Sequence, residues 1–455
     1  MTRFEKFLDS FTQCTVERRL FLFYFLVQFG QAFPWTATTL LLTKELKLSF
    51  SQLNDYYAYC YLPWSFKLVF AYISDSYPIL NYRRKVYVMI YAVLAGLAMI
   101  LYGAFGTSYG MVLTCGIIMN TFECATQVLI DALVVERVKK ERAELGKGQS
   151  LSLVFKSTGT VVATFLAYFL TNEIVKLPYR MFFIIASLAY FLVAALSYQL
   201  NDEASEKQAF KDNLVLAGKV IFKGVNNLNI SICKPLWPLI VFVLFKYIMP
   251  TSSNTMYSYL LRINIQDSQV VILNFATSLT SLVADIIYSQ FLTGKPLSVM
   301  IICTNVLASI CALLELFIVM MGGYNSTGEP ESYVYWVSLF IECIVSATSQ
   351  VCIIPIMIMV SRACPLGLEA SVWALFFTFN DLASSLSGKI TSWVIELFQI
   401  TNDNYTNIPQ FLITCAVCNL VPLLYIIIIR DYLHLVSLQP DKSAPVREHL
   451  SLLDA

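Results

Sequence analysis

A stripe of polar side chains follows one face of an otherwise apolar segment between residues 111 and 135. Its members are spaced by 3, 4 and 4 residues and lie on one side of a helix: Asn120, Glu123, Gln127 and Asp131. Amide and carboxylate groups arranged in this way can hydrogen-bond a polar ligand or hold water. Exposing these groups to the hydrocarbon of a lipid bilayer would be costly. The spacing therefore predicts a polar interior. The alternative is a stripe that only packs against a neighbouring helix.

Three other apolar segments carry polar or aromatic residues at intervals of 3 or 4. They are Gln28, Gln31 and Trp35, then Lys246, Pro250, Ser253 and Tyr257, then Glu342, Ser346 and Ser349. Each set occupies one face of a helix, as the first stripe does. We therefore expect each of these faces to meet protein or water rather than lipid.

Three charged side chains, Glu123, Lys246 and Asp381, fall near the middle of apolar segments. An ionised side chain at that depth of a bilayer costs roughly 2.5–3.5 kcal/mol, so each must pair, titrate or meet water. A permanent ion pair between Glu123 and Lys246 is one interpretation. Substrate or proton binding in a cavity is the other, and the mid-membrane carboxylates motivate a hypothesis of proton coupling.

A second group of charges lies at the ends of the second, fourth and fifth apolar segments and in one loop. Its members are Lys67, Asp75, Arg83, Arg84, Asp131, Glu136 and Lys156. Opposite charges at one depth indicate an inner gate or a structural charge network. Lys156 is also a candidate cation for binding a substrate.

Helices that cross a membrane must position these residues. The chain has 455 residues, of which 57% are hydrophobic and 13% charged, a composition unsuited to a soluble surface. Twelve apolar stretches each have about 20 residues, long enough to span the hydrocarbon core as a helix. We place them near residues 20–42, 52–74, 86–105, 111–135, 149–170, 181–199, 236–257, 269–291, 296–321, 333–360, 369–395 and 410–429.

The predicted fold is an all-α polytopic membrane protein with 12 transmembrane helices in two six-helix halves. We divide the chain into an N-terminal segment (1–19), a first half (20–199), a linker (200–234), a second half (235–429) and a tail (430–455). The mixed charged and apolar linker is predicted to be partly helical on the membrane surface. The positions of Lys and Arg place both termini in the cytoplasm. Asn325 and Asn404 then become external glycosylation candidates, in a protein expected at the plasma membrane.

The sequence favours neither a metal site, nor a cofactor, nor enzyme activity. His434 and His449 lie outside the apolar segments, so no span offers an imidazole base or ligand. Cys415 and Cys418 form a lone CxxC motif without a second ligand pair, which small apolar packing explains better. With a net charge of +1 and no basic block, nucleic acid is not an expected partner. The expected partners are small solutes, membrane lipid and, as a hypothesis, protons.

Four segments of the chain together carry a resemblance to a known family. They are LPWSFKLVFAYISDSYPILNYRRK (62–85), IDALVVE (130–136), GQSLSLVFKSTG (148–159) and CPLGLEASVWALFFTFNDLASSLSG (364–388). In this order they resemble the folate-biopterin transporter family, a branch of the major facilitator superfamily. The chain departs from that family at Leu80-Asn81, where glycine is usual, and at Leu68, where proline is common.

The resemblance implies the major facilitator architecture, in which the first, fourth, seventh and tenth helices line a central cavity. It also implies a secondary active transporter that moves folate, biopterin or a related pteridine by alternating access. Gly159 and Pro250 are candidate points of bending or close helix approach. A transporter of choline or para-aminobenzoate and a receptor without transport are the alternatives, and we expect a monomer.

For a pteridine cargo, the predicted contacts divide by chemistry. Glu123 or Asp381 would take the ring edge, and Lys246 and Lys156 would bind the carboxylates of a folate. Trp35 and Tyr57 would stack on the flat ring. The remaining predicted substrate contacts are the polar side chains Gln31, Gln127, Asn380 and Glu342. For choline, an acidic residue among aromatic rings would serve by cation–π attraction.

Overall fold

The computed structural model of the protein describes residues 18–46, 48, 50–140, 145–171, 175, 177–200, 225–227, 230–233, 237–253, 255–256, 267–292, 297–321, 332–363, 369–400 and 406–428. The glycosylation candidates Asn325 and Asn404 lie outside the described residues, as do the tail and most of the N-terminal segment.

The first part of the chain is helical. Its helices are α1 Arg18–Ala32, α2 Trp35–Leu40, α3 Phe50–Tyr61, α4 Lys67–Ser76, α5 Lys85–Phe105, α6 Tyr109–Lys140, α7 Leu145–Thr171 and α8 Tyr179–Ser197. A π-helical turn, Leu41–Glu45, follows α2, and a 3₁₀ turn, Leu62–Phe66, joins α3 to α4.

A short antiparallel hairpin interrupts the helices within the predicted linker. Its strands are β1 Val225–Asn227 and β2 Ile230–Cys233, with Val225 opposite Cys233 and Asn227 opposite Ile230. The described part of the linker beyond Leu200 is therefore extended rather than helical. The chain continues with α9 Trp237–Tyr247, α10 Asp267–Ile287, α11 Leu297–Met321, α12 Ser332–Ala363, α13 Glu369–Leu397, α14 Ile408–Cys418 and α15 Val421–Ile428, and a π-helical turn, Tyr288–Leu292, extends α10.

Prolines coincide with breaks in three of the predicted spans. A turn at Phe33-Pro34 separates α1 from α2, Pro63 starts the 3₁₀ turn between α3 and α4, and α9 ends three residues before Pro250. Proline has no backbone N–H and its ring clashes with the preceding turn, so a helix ends or kinks there. The helices within the predicted spans 20–42, 52–74 and 236–257 are therefore interrupted at or near these prolines.

Eight of the described helices are long and apolar enough to cross a membrane, judged by length and composition. These stretches are Lys85–Phe105, Tyr109–Val134, Ser152–Thr171, Tyr179–Ser197, Val271–Leu292, Val299–Met321, Tyr335–Ile358 and Ile408–Ile426. They confirm a helical integral membrane protein. The remaining predicted spans are the three broken ones and 369–395, where α13 carries Asn380, Asp381 and several serines. The count of twelve spans stays a prediction.

The apolar core separates into clusters along the chain. The largest cluster runs from Leu20 to Leu200, and all of its members lie between these two residues. Two further clusters are built from α9 to α15, with Leu153 of α7 as an added member of one. A small cluster of Ala71, Cys124, Val128 and Ala374 joins α4 and α6 to α13. The first and second parts of the chain thus each bury their own apolar side chains, and they pack against each other along α7 and α10 and around α13.

Helix α5 shows which surface faces the hydrocarbon. Met89, Val93, Leu97 and Leu101 recur every fourth residue and are exposed, whereas Ala92, Ala95 and Met99 on the other face are buried. Helices α8 and α11 expose large apolar side chains in the same way. Such stripes are stable only against lipid, which gives these helices the outer positions of the bundle.

The loop between α4 and α5 contains a tight turn in an unusual backbone conformation. Ile79 and Tyr82 exchange both backbone hydrogen bonds, at 3.1 and 3.0 Å. The residues between them, Leu80 and Asn81, have φ angles of 54° and 65°. Positive φ at both central positions defines the hairpin turn that normally favours Asn and Gly, and it strains a leucine.

Candidate functional site

A large cavity lies between the helices and collects most of the polar residues that the sequence singles out. Its volume is about 1350 Å³. Its wall consists of residues from α1, α2, α3, α4, α6, α7, α10, α12 and α13, with Thr251 and Thr255 after α9. Among the described residues, α5, α8, α11, α14 and α15 contribute none. We name this space the main cavity.

Helix α13 provides the longest wall of the main cavity. Its lining residues run from Phe377 to Glu396, which corresponds to about 28 Å along a helix. On α6 the lining residues run from Met119 to Asp131, about 18 Å. The main cavity therefore extends along much of the thickness of a hydrocarbon core of about 30 Å.

Aromatic rings form one part of this wall. Trp35 stacks on Tyr57 with ring centroids 5.7 Å apart, and Tyr57 stacks on Tyr61 at 6.3 Å. The Tyr57 hydroxyl lies 3.0 Å from the Thr39 hydroxyl, which fixes the ring. Trp35 remains 41% exposed at the cavity. The α2–α3 side of the cavity thus presents flat apolar faces to anything inside it.

Amides and a carboxyl group form the adjoining wall. Gln31 Nε2 donates a hydrogen bond to Gln127 Oε1 at 3.1 Å, which links α1 to α6. Trp64 Nε1 donates to Asn120 Oδ1 at 3.0 Å. Glu123 lies on the same face of α6 and is only 4% exposed, and its Oε1 has no hydrogen-bond partner among the described residues. A buried acceptor in this state is available to a ligand that brings N–H donors.

Lys67 and Asp381 form an ion pair across the main cavity. The Lys67 Nζ lies 2.7 Å from Asp381 Oδ2, and the two side chains are 10% and 20% exposed. The ammonium also lies over the ring of Trp64, 4.9 Å from its centroid, and Asn380 donates to Asp381 Oδ1 at 3.2 Å. A lysine predicted for the gate and an aspartate predicted for the substrate are thus brought together.

Lys156 and Asp131 form a second pair on the cavity wall. Lys156 Nζ lies 3.7 Å from Asp131 Oδ1 and 5.2 Å from the centroid of the Tyr24 ring. Lys156 was predicted to bind the substrate, and Asp131 was predicted to belong to the gate or charge network. The structure therefore merges parts of the two predicted charge groups into one polar wall.

Two more hydrogen bonds join the first part of the chain to the second beside the main cavity. Asn274 Nδ2 on α10 donates to Thr36 Oγ1 on α2 at 3.2 Å. The backbone N–H of Leu68 on α4 donates to Thr378 Oγ1 on α13, also at 3.2 Å. These hydrogen bonds add to the packing of α7 against α10 and of α13 against α4 and α6.

Lys246 and Glu342 do not line the main cavity. Lys246 Nζ donates a hydrogen bond to Asn305 Oδ1 on α11 at 2.5 Å. The ion pairs between described residues include none that joins Lys246 to Glu123. The Lys246 ammonium group therefore hydrogen-bonds the amide of a buried asparagine rather than a carboxylate. Glu342 is partly buried on α12.

The other predicted gate residues lie at one end of the bundle. Arg83 and Arg84 belong to the loop before α5, and Arg84 is buried. Asp75 and Glu136 lie in α4 and α6, but their side chains are outside the described part of the structure.

Asp285 is a site candidate that the sequence reasoning missed. It lies on α10 with 0% exposure and accepts hydrogen bonds from Ser157 on α7 and, at 3.3 Å, from Gln350 Nε2 on α12. It is the one charged residue between positions 269 and 291 of the sequence. An ionised side chain in the middle of a membrane has a high free-energy cost. This argument singled out Glu123 and could equally have identified Asp285 from the sequence.

The fold is shared with solved transporters. The Escherichia coli fucose:proton symporter superposes on the chain with a TM-score of 0.60 at 15% sequence identity, covering 89% of this chain and 96% of that one. Together with the apolar outer helices and the polar central cavity, this likeness defines a helical membrane protein that shares the fold of that symporter.

A sequence profile of the BT1 family matches residues 29–444, so the chain belongs to the BT1 family. It is 23% identical over 397 residues to the folate-biopterin transporter of Synechocystis, covering 85% of this chain and 76% of that protein. It is 24% identical over 387 residues to folate transporter 1 of Plasmodium falciparum, covering 84% and 73%. The family resemblance predicted from the sequence is confirmed, and with it the prediction that the protein is not an enzyme.

Proposed function

We propose that the protein carries folate, biopterin or a related pteridine across a membrane by alternating access, together with protons. The observation that carries this proposal is the wall of the main cavity, where flat aromatic faces adjoin a buried carboxyl group and two lysines. The names of the relatives from Synechocystis and Plasmodium falciparum support the same class of cargo.

The ring of a pteridine matches two parts of this wall. Its amide and amino groups offer adjacent N–H donors, which the unpaired Oε1 of Glu123 can accept. The stacked rings of Trp35, Tyr57 and Tyr61 can hold its flat face. Gln31 and Gln127, already bonded to each other, can share donors and acceptors with the ring edge.

The glutamate tail of a folate adds carboxylates that need cations. Lys67 and Lys156 line the main cavity and provide them, whereas Lys246 does not reach it. Each lysine already has an aspartate partner, so a bound carboxylate would share the ammonium with Asp381 or Asp131. We therefore include Lys67 in the proposed substrate site and assign Lys246 a packing role.

For transport, we propose that the twelve spans form two six-helix halves which rock about the main cavity. The separate apolar clusters support this division, and the few polar contacts between them can be broken and remade. We place both termini in the cytoplasm of a monomer at the plasma membrane. Antibody access to epitopes added at the termini, measured before and after permeabilising cells, tests this orientation.

Choline is a second candidate cargo, favoured by the aromatic cluster beside an acidic residue. A quaternary ammonium is attracted to the faces of Trp and Tyr and to a carboxylate. The cavity lysines Lys67, Lys156 and Lys389 oppose this cargo by charge repulsion, so we rank it below a pteridine.

The test is uptake of radiolabelled folic acid, biopterin, para-aminobenzoate and choline into proteoliposomes. We expect saturable folate or biopterin uptake that Glu123→Gln lowers about tenfold, a loss of roughly 1.4 kcal/mol of binding. Glu315→Gln is the matched control, because Glu315 is also buried but lies outside the main cavity. Uptake of choline alone would overturn the cargo, and binding of a pteridine without counterflow would favour a receptor.

A further inference from the structure

Asp285 is held between helices from the two proposed halves. Ser157 on α7 and Gln350 on α12 both donate hydrogen bonds to its Oδ2. Its Oδ1 is buried and has no hydrogen-bond partner among the described residues. A carboxylate with one oxygen bare in dehydrated surroundings is costly, and a proton removes that cost by neutralising the group.

A second, smaller cavity lies between the two donors to this carboxyl group and the main cavity. Its volume is about 290 Å³, and its wall includes both donors to Asp285, Ser157 and Gln350. Gln28, Lys156 and Thr160 are among the residues that line both cavities. We name this space the side pocket. It is large enough for water, so a proton can move between the main cavity and the donors of Asp285.

The other acidic residues near the main cavity are less suited to carry a transported proton. Asp381 and Asp131 are already held in ion pairs with lysines. Glu123 lies in the wall proposed to bind cargo, where a proton would compete with the ligand. Glu396 also lines this cavity, but its side chain is exposed near the end of α13. Asp285 has none of these restrictions.

Few titratable groups face Asp285 from the elements packed around α10. Helix α7 contributes Lys156, α12 contributes Glu342 and Cys343, and the π-helical turn contributes Tyr288. The Lys156 ammonium is engaged by Asp131, and no ion pair to Asp285 occurs among the described residues. Its contacts are hydrogen-bond donors rather than the converging oxygen ligands that a metal cation requires.

We propose that Asp285 is the residue that binds and releases the proton coupled to transport, and that the side pocket is the path by which the proton reaches it. Proton binding forms an O–H bond on the carboxylate on one side of the membrane, and release breaks that bond toward the other side. Because the Ser157–Asp285 hydrogen bond joins the two proposed halves, the rocking of the halves changes access to the carboxyl group. This inference rests on the proposed transport of a pteridine.

The test uses full-length protein in proteoliposomes loaded with a pH-sensitive dye. Under an imposed proton gradient, wild type is expected to accumulate folate above equilibrium and to acidify the lumen when substrate is added. Asp285→Asn is expected to lose both effects while it retains counterflow exchange, because exchange needs no net proton movement. Glu315→Gln, which removes another buried carboxyl group outside both cavities, is expected to keep both effects.

The outcomes separate this inference from the proposed function. Absence of pteridine counterflow in wild type would refute the function itself. Accumulation by Asp285→Asn, or accumulation driven by a sodium gradient alone, would overturn the assignment of Asp285 and leave the function standing.

A second measurement covers the case in which Asp285→Asn abolishes exchange. Dicyclohexylcarbodiimide modifies protonated carboxyl groups in apolar surroundings. We expect an adduct on Asp285 of the wild-type protein that forms in acidic buffer, decreases in alkaline buffer and blocks accumulation. An Asp285 that stays unmodified at every pH would contradict the proposal.

Discussion

At the scale of single residues, four charged side chains of the main cavity are arranged in two pairs, and Glu123, Lys389 and Glu396 also line it. Lys67 is matched by Asp381 and Lys156 by Asp131, and each pair joins two different helices. Such pairs cancel charge in a site that has limited access to water, which keeps the wall close to neutral. An anionic cargo in this cavity would therefore meet the ammonium groups of Lys67 and Lys156 already held in place by their aspartate partners.

The Lys67–Asp381 pair gives a stability prediction. Lys67→Met leaves the Asp381 carboxylate without its counter-charge, and we expect a loss of about 3 kcal/mol, because breaking a buried pair strands the remaining ion. Asp381→Asn should cost a similar amount, and the double variant less than the two losses combined. Thermal unfolding of the four proteins in detergent measures this coupling.

The control for that cycle is the Arg180–Glu45 pair, whose side chains are 32% and 39% exposed. Because water screens an exposed pair, Arg180→Met should cost less than about 1 kcal/mol. Equal losses at both sites would show that burial does not decide the strength of the Lys67–Asp381 contact.

The candidate site was only partly predictable at this scale. The sequence showed that Glu123, Lys246 and Asp381 would be costly in a membrane, because cost depends on residue type and depth. It did not show the partners, because a partner depends on which helix faces which. Lys246 thus meets Asn305 instead of Glu123, and the role of Asp285 rests on donors from two other helices.

At the scale of elements, close helix packing depends on glycine at one crossing. A Cβ placed on Gly159 in α7 would lie 2.5 Å from the backbone oxygen of Phe25 in α1. The backbone atoms cannot move aside as a side chain would. Gly159 was predicted as a point of close approach, and the structure puts α1 and α7 in contact there.

Gly159→Ala should therefore separate α1 from α7 and destabilise the protein by about 1–3 kcal/mol, the usual cost of overpacking. Uptake should fall with it. Gly110→Ala is the matched control, since a Cβ on Gly110 meets nothing within 4 Å. That variant should be neutral or slightly stabilising, because alanine favours a helix. An unfolding temperature that Gly159→Ala leaves unchanged would remove the packing argument.

The turn before α5 gives a prediction of the opposite sign. Leu80 has a φ of 54° and is 77% exposed, so it is strained and buries little surface. Leu80→Gly should stabilise the protein by about 1 kcal/mol, because glycine adopts positive φ without the clash of a Cβ. Asn81→Gly should gain less, since asparagine tolerates this conformation. A lower unfolding temperature for Leu80→Gly would contradict this account.

Hydropathy predicted where helices form but not where they break. The average over a window of residues hides single prolines, so the segment 52–74 was predicted as one helix, although Pro63 begins a 3₁₀ turn within it. Charge and serine content likewise gave no warning that α13 would line the main cavity over its length. Tertiary packing decides both features.

At the scale of the whole molecule, the proposed halves pack along α7 and α10 and also meet through local polar contacts. Thr36 on α2 and Asn274 on α10 meet through short side chains, with the Oγ1 and Nδ2 atoms 3.2 Å apart. If the halves rock, this contact must separate in each cycle. A covalent bond at this position would hold the halves together.

Thr36→Cys with Asn274→Cys should therefore lose uptake on oxidation and recover it on reduction, while each single variant is insensitive. Thr348→Cys next to the native Cys311 is the control, because these residues lie on α12 and α11 of one proposed half and their side chains are 3.2 Å apart. A disulfide there should leave uptake intact. Full uptake by the oxidised Thr36–Asn274 variant would argue against rocking at this contact.

The tryptophans of the aromatic wall also give the protein an intrinsic fluorescence that depends on what the main cavity contains. Trp35 and Trp64 line the main cavity, whereas Trp237, Trp336 and Trp393 are exposed on the outside of the described structure. A pteridine absorbs in the range where indole emits, so a ring stacked beside Trp35 quenches its fluorescence. The unlabelled protein therefore reports occupancy of its own cavity, through a signal that Trp35→Phe and Trp64→Phe would remove stepwise.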